Sequence, residues 1–175
     1  TVTGAGAAII SSANGNFPRI TEVMPGRIVN KGIKDANNMG AAMAPAAIDT
    51  IRDYFNETGY SPEDFDLILT GDLGAEGHAT AMDYLLGYGI DLRKNYSDCG
   101  LMIYDINRQD MHAGGSGCGC SASVICGHIM KRFEKGELKN VLYVATGALM
   151  SPSTSKQGLS IPGIAHLVRI EAGRR

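Results

Sequence analysis

Tryptophan is absent from this 175-residue chain, and aromatic residues make up only 6% of it. A bulky ligand stacked between several rings is therefore not expected. Long apolar runs are missing too. None approaches the ~20 residues needed to span a bilayer, and no secretory leader is recognisable ahead of the first strand-like segment. The expectation is a soluble chain, one that can still dock onto a membrane complex. Basic excess is also lacking: 16 Lys and Arg face 18 Asp and Glu, for a net charge of −2 and a pI near 6.0. That excludes a nucleic-acid groove, which needs a basic stripe. The most basic stretch, Lys131-Arg132 to Lys139, is interrupted by Glu134 and Glu137 and reads as a solvated helix end.

Cysteine is scarce. Cys99, Cys118, Cys120 and Cys126 are too few for a disulfide scaffold at this length, and they favour a reducing compartment. Structural zinc sites usually need two spaced ligand pairs, and Cys118-x-Cys120 has no second pair, so no metal site is expected. These thiols read as small buried apolar groups.

Glycine is plentiful, at 23 residues. Four of them fall with two cysteines in the seven residues from Gly114 to Cys120, and a helix-patterned segment follows at once. Glycine permits positive φ and close backbone approach. A helix starting after such a loop directs free N–H groups at whatever sits there. The segment makes either a site or a tight packing corner.

Along the chain, Ala7–Ser12 is a strand candidate, Asn14-Gly15-Asn16 a turn, and Ile20–Val29 a second strand broken at Pro25-Gly26, together a hairpin. Met43, Ala47, Ile48, Ile51, Tyr54 and Phe55 place a helix over Met39–Thr58, with Pro45 near its first turn and Gly59 as its stop. Ser61-Pro-Glu-Asp64 is a one-turn helix start. Asp66–Thr70 reads as a buried parallel strand, ended by Gly71-Asp72-Leu73-Gly74. A helix over Ala79–Gly87, an irregular stretch Leu92–Asp98 and a short strand or extended edge over Leu101–Ile106 come next. Val124, Ile125, Ile129, Met130 and Phe133 mark a helix ending at Gly136, with His128 on its buried side. Val141–Thr146 is a central strand, Gly147–Gly158 a loop and Ile164–Ile170 the last strand. Strands alternating with helices predict an α/β sheet.

Three segments resemble the thiolase-like superfamily: Ser61 to Asp72, Gly114-Gly-Ser-Gly117 and Val141 to Ala148. Within it the chain resembles the stage V sporulation protein AD family. Six ordered blocks carry this: Thr3–Ser12, Met39–Ala47, Leu69–Leu73, Asp98–Leu101, Ala113–Cys118 and Ala145–Leu149. The resemblance implies an α/β thiolase-like fold, mainly the C-terminal βαβαβαββ half with a mixed five-stranded sheet flanked by helices. Residues 1–30 would end the first half as a strand hairpin, 31–172 would form the second half, and 173–175 a disordered tail or cloning remnant. A lone half exposes a large apolar face, so the missing N-terminal half or a homodimer mate is the expected partner.

The resemblance also implies function. In condensing relatives a histidine follows one strand and an asparagine stands in the glycine-rich loop. Gly71 falls at the histidine position and Gly115 at the asparagine position, with Asp72 beside the first. Loss of one oxyanion donor costs about 10² to 10³ in rate. The expectation is a non-catalytic protein of sporulation that binds dipicolinic acid, or its calcium chelate, and supports dipicolinate uptake into the developing spore. It carries no catalytic residue, no metal of its own and no cofactor beyond calcium arriving with the ligand. Its partners are other subunits of the dipicolinate transport complex, and its place is cytoplasmic or peripheral at the forespore inner membrane. The expected ligand-binding residues are Thr70, Gly71, Asp72, Gly114, Gly115, Ser116, Gly117 and Cys118, with the loop amides receiving a carboxylate. The alternatives are an acyltransferase or condensing enzyme of ketoacyl-synthase type, or a scaffold subunit of a membrane-associated complex.

Overall fold

Leu67–Thr70 is apolar or small at every position and buried at every position, which only a strand covered on both faces requires. The structure, a computed structural model, describes residues 1–12 and 15–173. Asn14 of the expected turn and Arg174-Arg175 of the expected tail lie outside the described residues. Five strands form one sheet: β1 (Arg19–Met24), β2 (Leu67–Thr70), β3 (Tyr96–Asp98), β4 (Asn140–Ala148) and β5 (Gly163–Glu171), in the order β1-β5-β4-β2-β3. β2 runs parallel to β3 and β4, while β5 is antiparallel to both β4 and β1. Only β5 therefore opposes the rest. The chain order, β-α-β-α-β-α-β-β, is the order the resemblance implies.

Alternation along the central strands divides the core. Ile68, Leu142, Val144 and Leu167 face α1 (Met39–Thr58) and α2 (Gly74–Gly87). Leu67, Leu69, Val141 and Ile170 face the opposite layer, where Cys120, Val124, Ile129 and Phe133 are buried. That layer is α4 (Cys118–Val124), a π turn at Ile125–Ile129 and α5 (Met130–Glu134). Its buried spacing is four, five and four residues, and the π turn absorbs the extra residue that would otherwise rotate Ile129 off the sheet.

Asn38 caps α1 through the Ala41 amide, and Gly59 ends it at φ 73°. Both helix bounds agree with the sequence pattern. Pro45 is six residues into α1, in its second turn rather than its first. Ser61 and Asp64 form the expected capping box.

Several expectations are corrected. Ala7–Ser12 forms no regular element and joins no strand, and Arg19–Met24 pairs with β5 instead of forming a hairpin. β1 therefore belongs to the same sheet as the rest of 31–172, inside the segment assigned to a first half. α2 begins at Gly74, five residues before the expected Ala79, because a distant carboxylate caps it. β3 occupies the end of the stretch read as irregular. The strand expected at Leu101–Ile106 is instead α3 (Cys99–Met102) followed by bends, since Asp98 caps the Gly100 amide and starts a helical turn. The loop after β4 contains a one-turn helix, α6 (Pro152–Lys156). His128 is exposed, not buried.

Candidate functional site

Parallel strands β2 and β3 end side by side, with Thr70 paired to Asp98. The chain leaving β2 enters Gly71-Asp72, and ligands in such sheets gather beyond these carboxyl ends. Gly71 lies against β4: a Cβ there would stand 2.5 Å from Thr146 Oγ1 and 2.9 Å from Thr146 N. Asp72 is tied to the same residue, its amide donating to Thr146 Oγ1 and its carboxylate accepting from that hydroxyl, both at 2.9 Å. The other carboxylate oxygen accepts the Gly117 amide at 2.9 Å and the Ser116 hydroxyl at 3.3 Å. Asp72 thus bridges β4 to the glycine loop. Burial raises its pKa above the usual carboxylate value, against these three hydrogen bonds.

The loop amides are largely committed. Gly114 donates to Met111 O, Gly115 to Gly100 O and Gly117 to Asp72. This corrects the expectation that these amides receive a carboxylate, because the protein's own oxygens already accept them. Gly114 and Gly117 adopt φ of 107° and 110°, so glycine is required for the backbone path. A Cβ at Gly115 would lie 2.5 Å from Ile103 Cγ2 and 2.9 Å from Val2 Cγ2. Glycine at 71 and 115 is therefore filled in by neighbours, not merely stripped of a side chain.

Above this bridge lies a cavity of about 500 Å³ where the starts of α1 and α2 meet the glycine loop. Asp72, Gly114, Gly115 and Ser116 line it. Thr70 is buried beneath it, Gly71 packs on Thr146, Gly117 turns toward Asp72, and Cys118 is exposed at the start of α4. Four carboxylates (Asp35, Asp72, Glu76 and Asp110) and one imidazole, His112, line the cavity, with no lysine or arginine among the described residues that do so. Asn38 donates to Glu76 across the mouth at 2.5 Å. His112 holds a left-handed φ of 47°, a conformation histidine adopts more readily than most residues. Among the described residues no group of three His, Cys, Asp or Glu side chains is placed to hold a metal ion.

Sequence reasoning missed Asp98. Its fully buried carboxylate accepts from Thr70 Oγ1 (2.6 Å), Leu73 N (2.9 Å), Gly74 N (3.0 Å) and Gly100 N (2.9 Å). Burial pushes its pKa up, opposed by those four donors. The available signal was an Asp followed by two small residues, a helix-cap pattern. Thr146 was marked by its family block, Ala145–Leu149, and by the Thr-Gly-Ala shared by residues 3–5 and 146–148, neither of which points to a bond with Asp72.

The thiols and imidazoles do not assemble. Cys99 and Cys120 are buried, and burial pushes the Cys99 thiol up and the Cys120 thiol up to about 12, the opposite of an activated nucleophile. His78 stacks on Tyr96 at 4.2 Å, His166 accepts the Gly26 amide, His128 is exposed, and His112 sits 3.8 Å from exposed Asp110. Among the described residues no helix is long and apolar enough to cross a membrane.

The chain is similar to several known proteins. The synthase 3-oxoacyl-[acyl-carrier-protein] synthase III from Aquifex aeolicus VF5 overlaps 85% of this chain and 44% of its own at 11% identity, with a TM-score of 0.43. Human mitochondrial 3-ketoacyl-CoA thiolase overlaps 84% and 30% at 19% identity, with a TM-score of 0.38. These overlaps are too loose to bear on function. Stage V sporulation protein AD of Bacillus subtilis (strain 168) is 46% identical over 171 residues, covering 98% of this chain and 50% of that protein. The chain thus spans about half the length of this curated relative. The family model for stage V sporulation protein AD matches residues 1–171, and the chain belongs to the stage V sporulation protein AD family.

Proposed function

We propose that this chain contributes a binding site for dipicolinate, without catalysing a reaction on it, and so supports dipicolinate uptake into the developing spore. The observation that carries the reading is the state of Gly71 and Gly115. The resemblance puts glycine at both positions where condensing relatives hold side-chain catalysts, and both glycines are packed so that a side chain would collide with Thr146 or with Ile103 and Val2. The raised pKa values of Cys99 and Cys120 point the same way.

The cavity's charge selects the ionic form of the ligand. Dipicolinate is a rigid pyridine whose two carboxylates flank the ring nitrogen, and four carboxylates, with no lysine or arginine among the described lining residues, repel the bare dianion. Calcium arriving as cargo in the chelate offsets that repulsion, and carboxylate and amide oxygens suit a hard cation. Asp72, Ser116 and Asn38 are the groups best placed to meet the chelate. Work at the periphery of the forespore inner membrane, with other subunits of the transport machinery, completes the proposal.

Titration calorimetry and thermal shift with dipicolinate, with and without calcium, test it. Saturable heat and stabilisation that increase with calcium are expected, weakened by Asp72→Ala and by Gly115→Val. No heat and no shift at millimolar ligand in either condition would overturn the reading. Acyl transfer from a thioester by the intact protein would restore the condensing-enzyme alternative.

A further inference from the structure

We infer that Asp98 is the positioning residue of the cavity, coupling the start of α2 to the glycine loop from beneath. The inference rests on the proposed use of this cavity for its consequence in binding, but not for its geometry.

Asp98 touches no cavity space, yet it holds three of the cavity's supports. Leu73 N and Gly74 N, on the α2 side of the wall, donate to its two oxygens. Gly100 N donates to the same carboxylate, and Gly100 O accepts the Gly115 amide at 2.7 Å. Ala113 O accepts the Ala75 amide at 2.8 Å, closing the circuit from α2 back to the loop. Packing along this path has no slack. A Cβ at Gly100 would collide with Gly115 O, one at Gly114 would stand 2.6 Å from Gly100 O, and one at Gly74 would stand 2.7 Å from Ala113 O. All four partners of the carboxylate are donors. An acceptor-only group is therefore required, and the acid cannot be replaced by its amide without turning an NH₂ toward two N–H or O–H groups.

Asp98→Asn with residue-resolved hydrogen exchange tests the role. Exchange at the Gly74, Gly115 and Gly117 amides is expected to rise about tenfold or more, the equivalent of one lost buried hydrogen bond to a charged group. The Leu142 amide in the core is expected to stay protected. Dipicolinate affinity is expected to fall by about the same factor. A uniform rise at all four amides, or none, would overturn the inference, because a purely stabilising residue moves the whole molecule together. Should Asp98→Asn not fold, Gly100→Ala presses on Gly115 O from the same path and is expected to give the same loop-confined change; unchanged Gly115 exchange there overturns the coupling. If the parent protein binds no dipicolinate, the proposed function fails while the exchange pattern still decides the role of Asp98.

Discussion

Asp72 and Asp98 hold the site together with carboxylates that burial makes harder to ionise. An acid whose folded pKa lies above its unfolded value binds more protons in the native state. Its contribution to stability is therefore best below the unfolded value, 3.8 for Asp72, and declines as pH rises through the folded value. Glu22 has the opposite sign. Burial raises its pKa, but hydrogen bonds from Tyr54 and Arg169 outweigh that and hold it low, so its contribution is lost as pH falls through the folded value. The expected outcome is that Asp72→Asn flattens the decline in stability between the unfolded carboxyl value and neutrality. Urea midpoints across that range check it; a slope equal to the parent's would contradict the raised pKa. Of these residues the sequence marked Asp72 by its place after a buried strand. It marked Asp98 only as the start of a family block and not as a site residue, because bonds to partners 24 and 25 residues away have no local signature.

At the scale of elements, two glycines that look alike in sequence do different work. Gly59 ends α1 at φ 73° with nothing within 4 Å of its absent Cβ, so Gly59→Ala meets only backbone strain, about 1 kcal/mol. Gly77 of α2 faces Gly40 of α1, where a Cβ would lie 2.9 Å from both Gly40 Cα and Gly40 O. Backbone cannot yield as a side chain can, so Gly77→Ala is expected to cost about 1–3 kcal/mol and to exceed the loss at Gly59. Chemical denaturation of both variants ranks them; the reverse order would mean that α1 and α2 separate freely. The stop at Gly59 was legible because it terminates an apolar period. The Gly40–Gly77 contact was not, because it joins two helices whose crossing no periodicity encodes. The helix after the glycine loop lies between these cases: its apolar positions predicted a helix, while the five-residue step among its buried positions 120, 124, 129 and 133, which the π turn absorbs, shows only in the structure.

At the scale of the whole molecule, the described surface carries apolar groups that a self-contained sheet does not need to expose. Ile9 is 99% exposed and Ile10 79%, on an irregular segment that joins no strand of the sheet. The residues just before it pack closely on α4 and the π turn that follows, Gly4 beside Ser123 and Gly119, and Gly6 beside Ala122 and Cys126. We propose that this face meets the expected N-terminal half or a second copy of the chain. Light scattering on the isolated chain is expected to show concentration-dependent association that Ile9→Asp with Ile10→Asp abolishes. A monomer at all concentrations would count against the second copy.

The sequence by itself determined the bounds of α1 and its glycine stop, the buried strand β2, the alternation that makes an α/β sheet, and the family. These follow from apolar period, capping chemistry and ordered motifs, all of which act within a few residues. The start of α2, the partner of β1 and the bridge from Asp72 to Thr146 were decided only by tertiary structure. Each depends on a donor or strand far along the chain: Asp98 reaches back 24 residues to Gly74, Thr146 lies 74 beyond Asp72, and Arg19 pairs with Glu171. Hydrogen bonds of that reach exist only once the sheet has closed, and they turn a glycine-rich loop into the wall of a cavity.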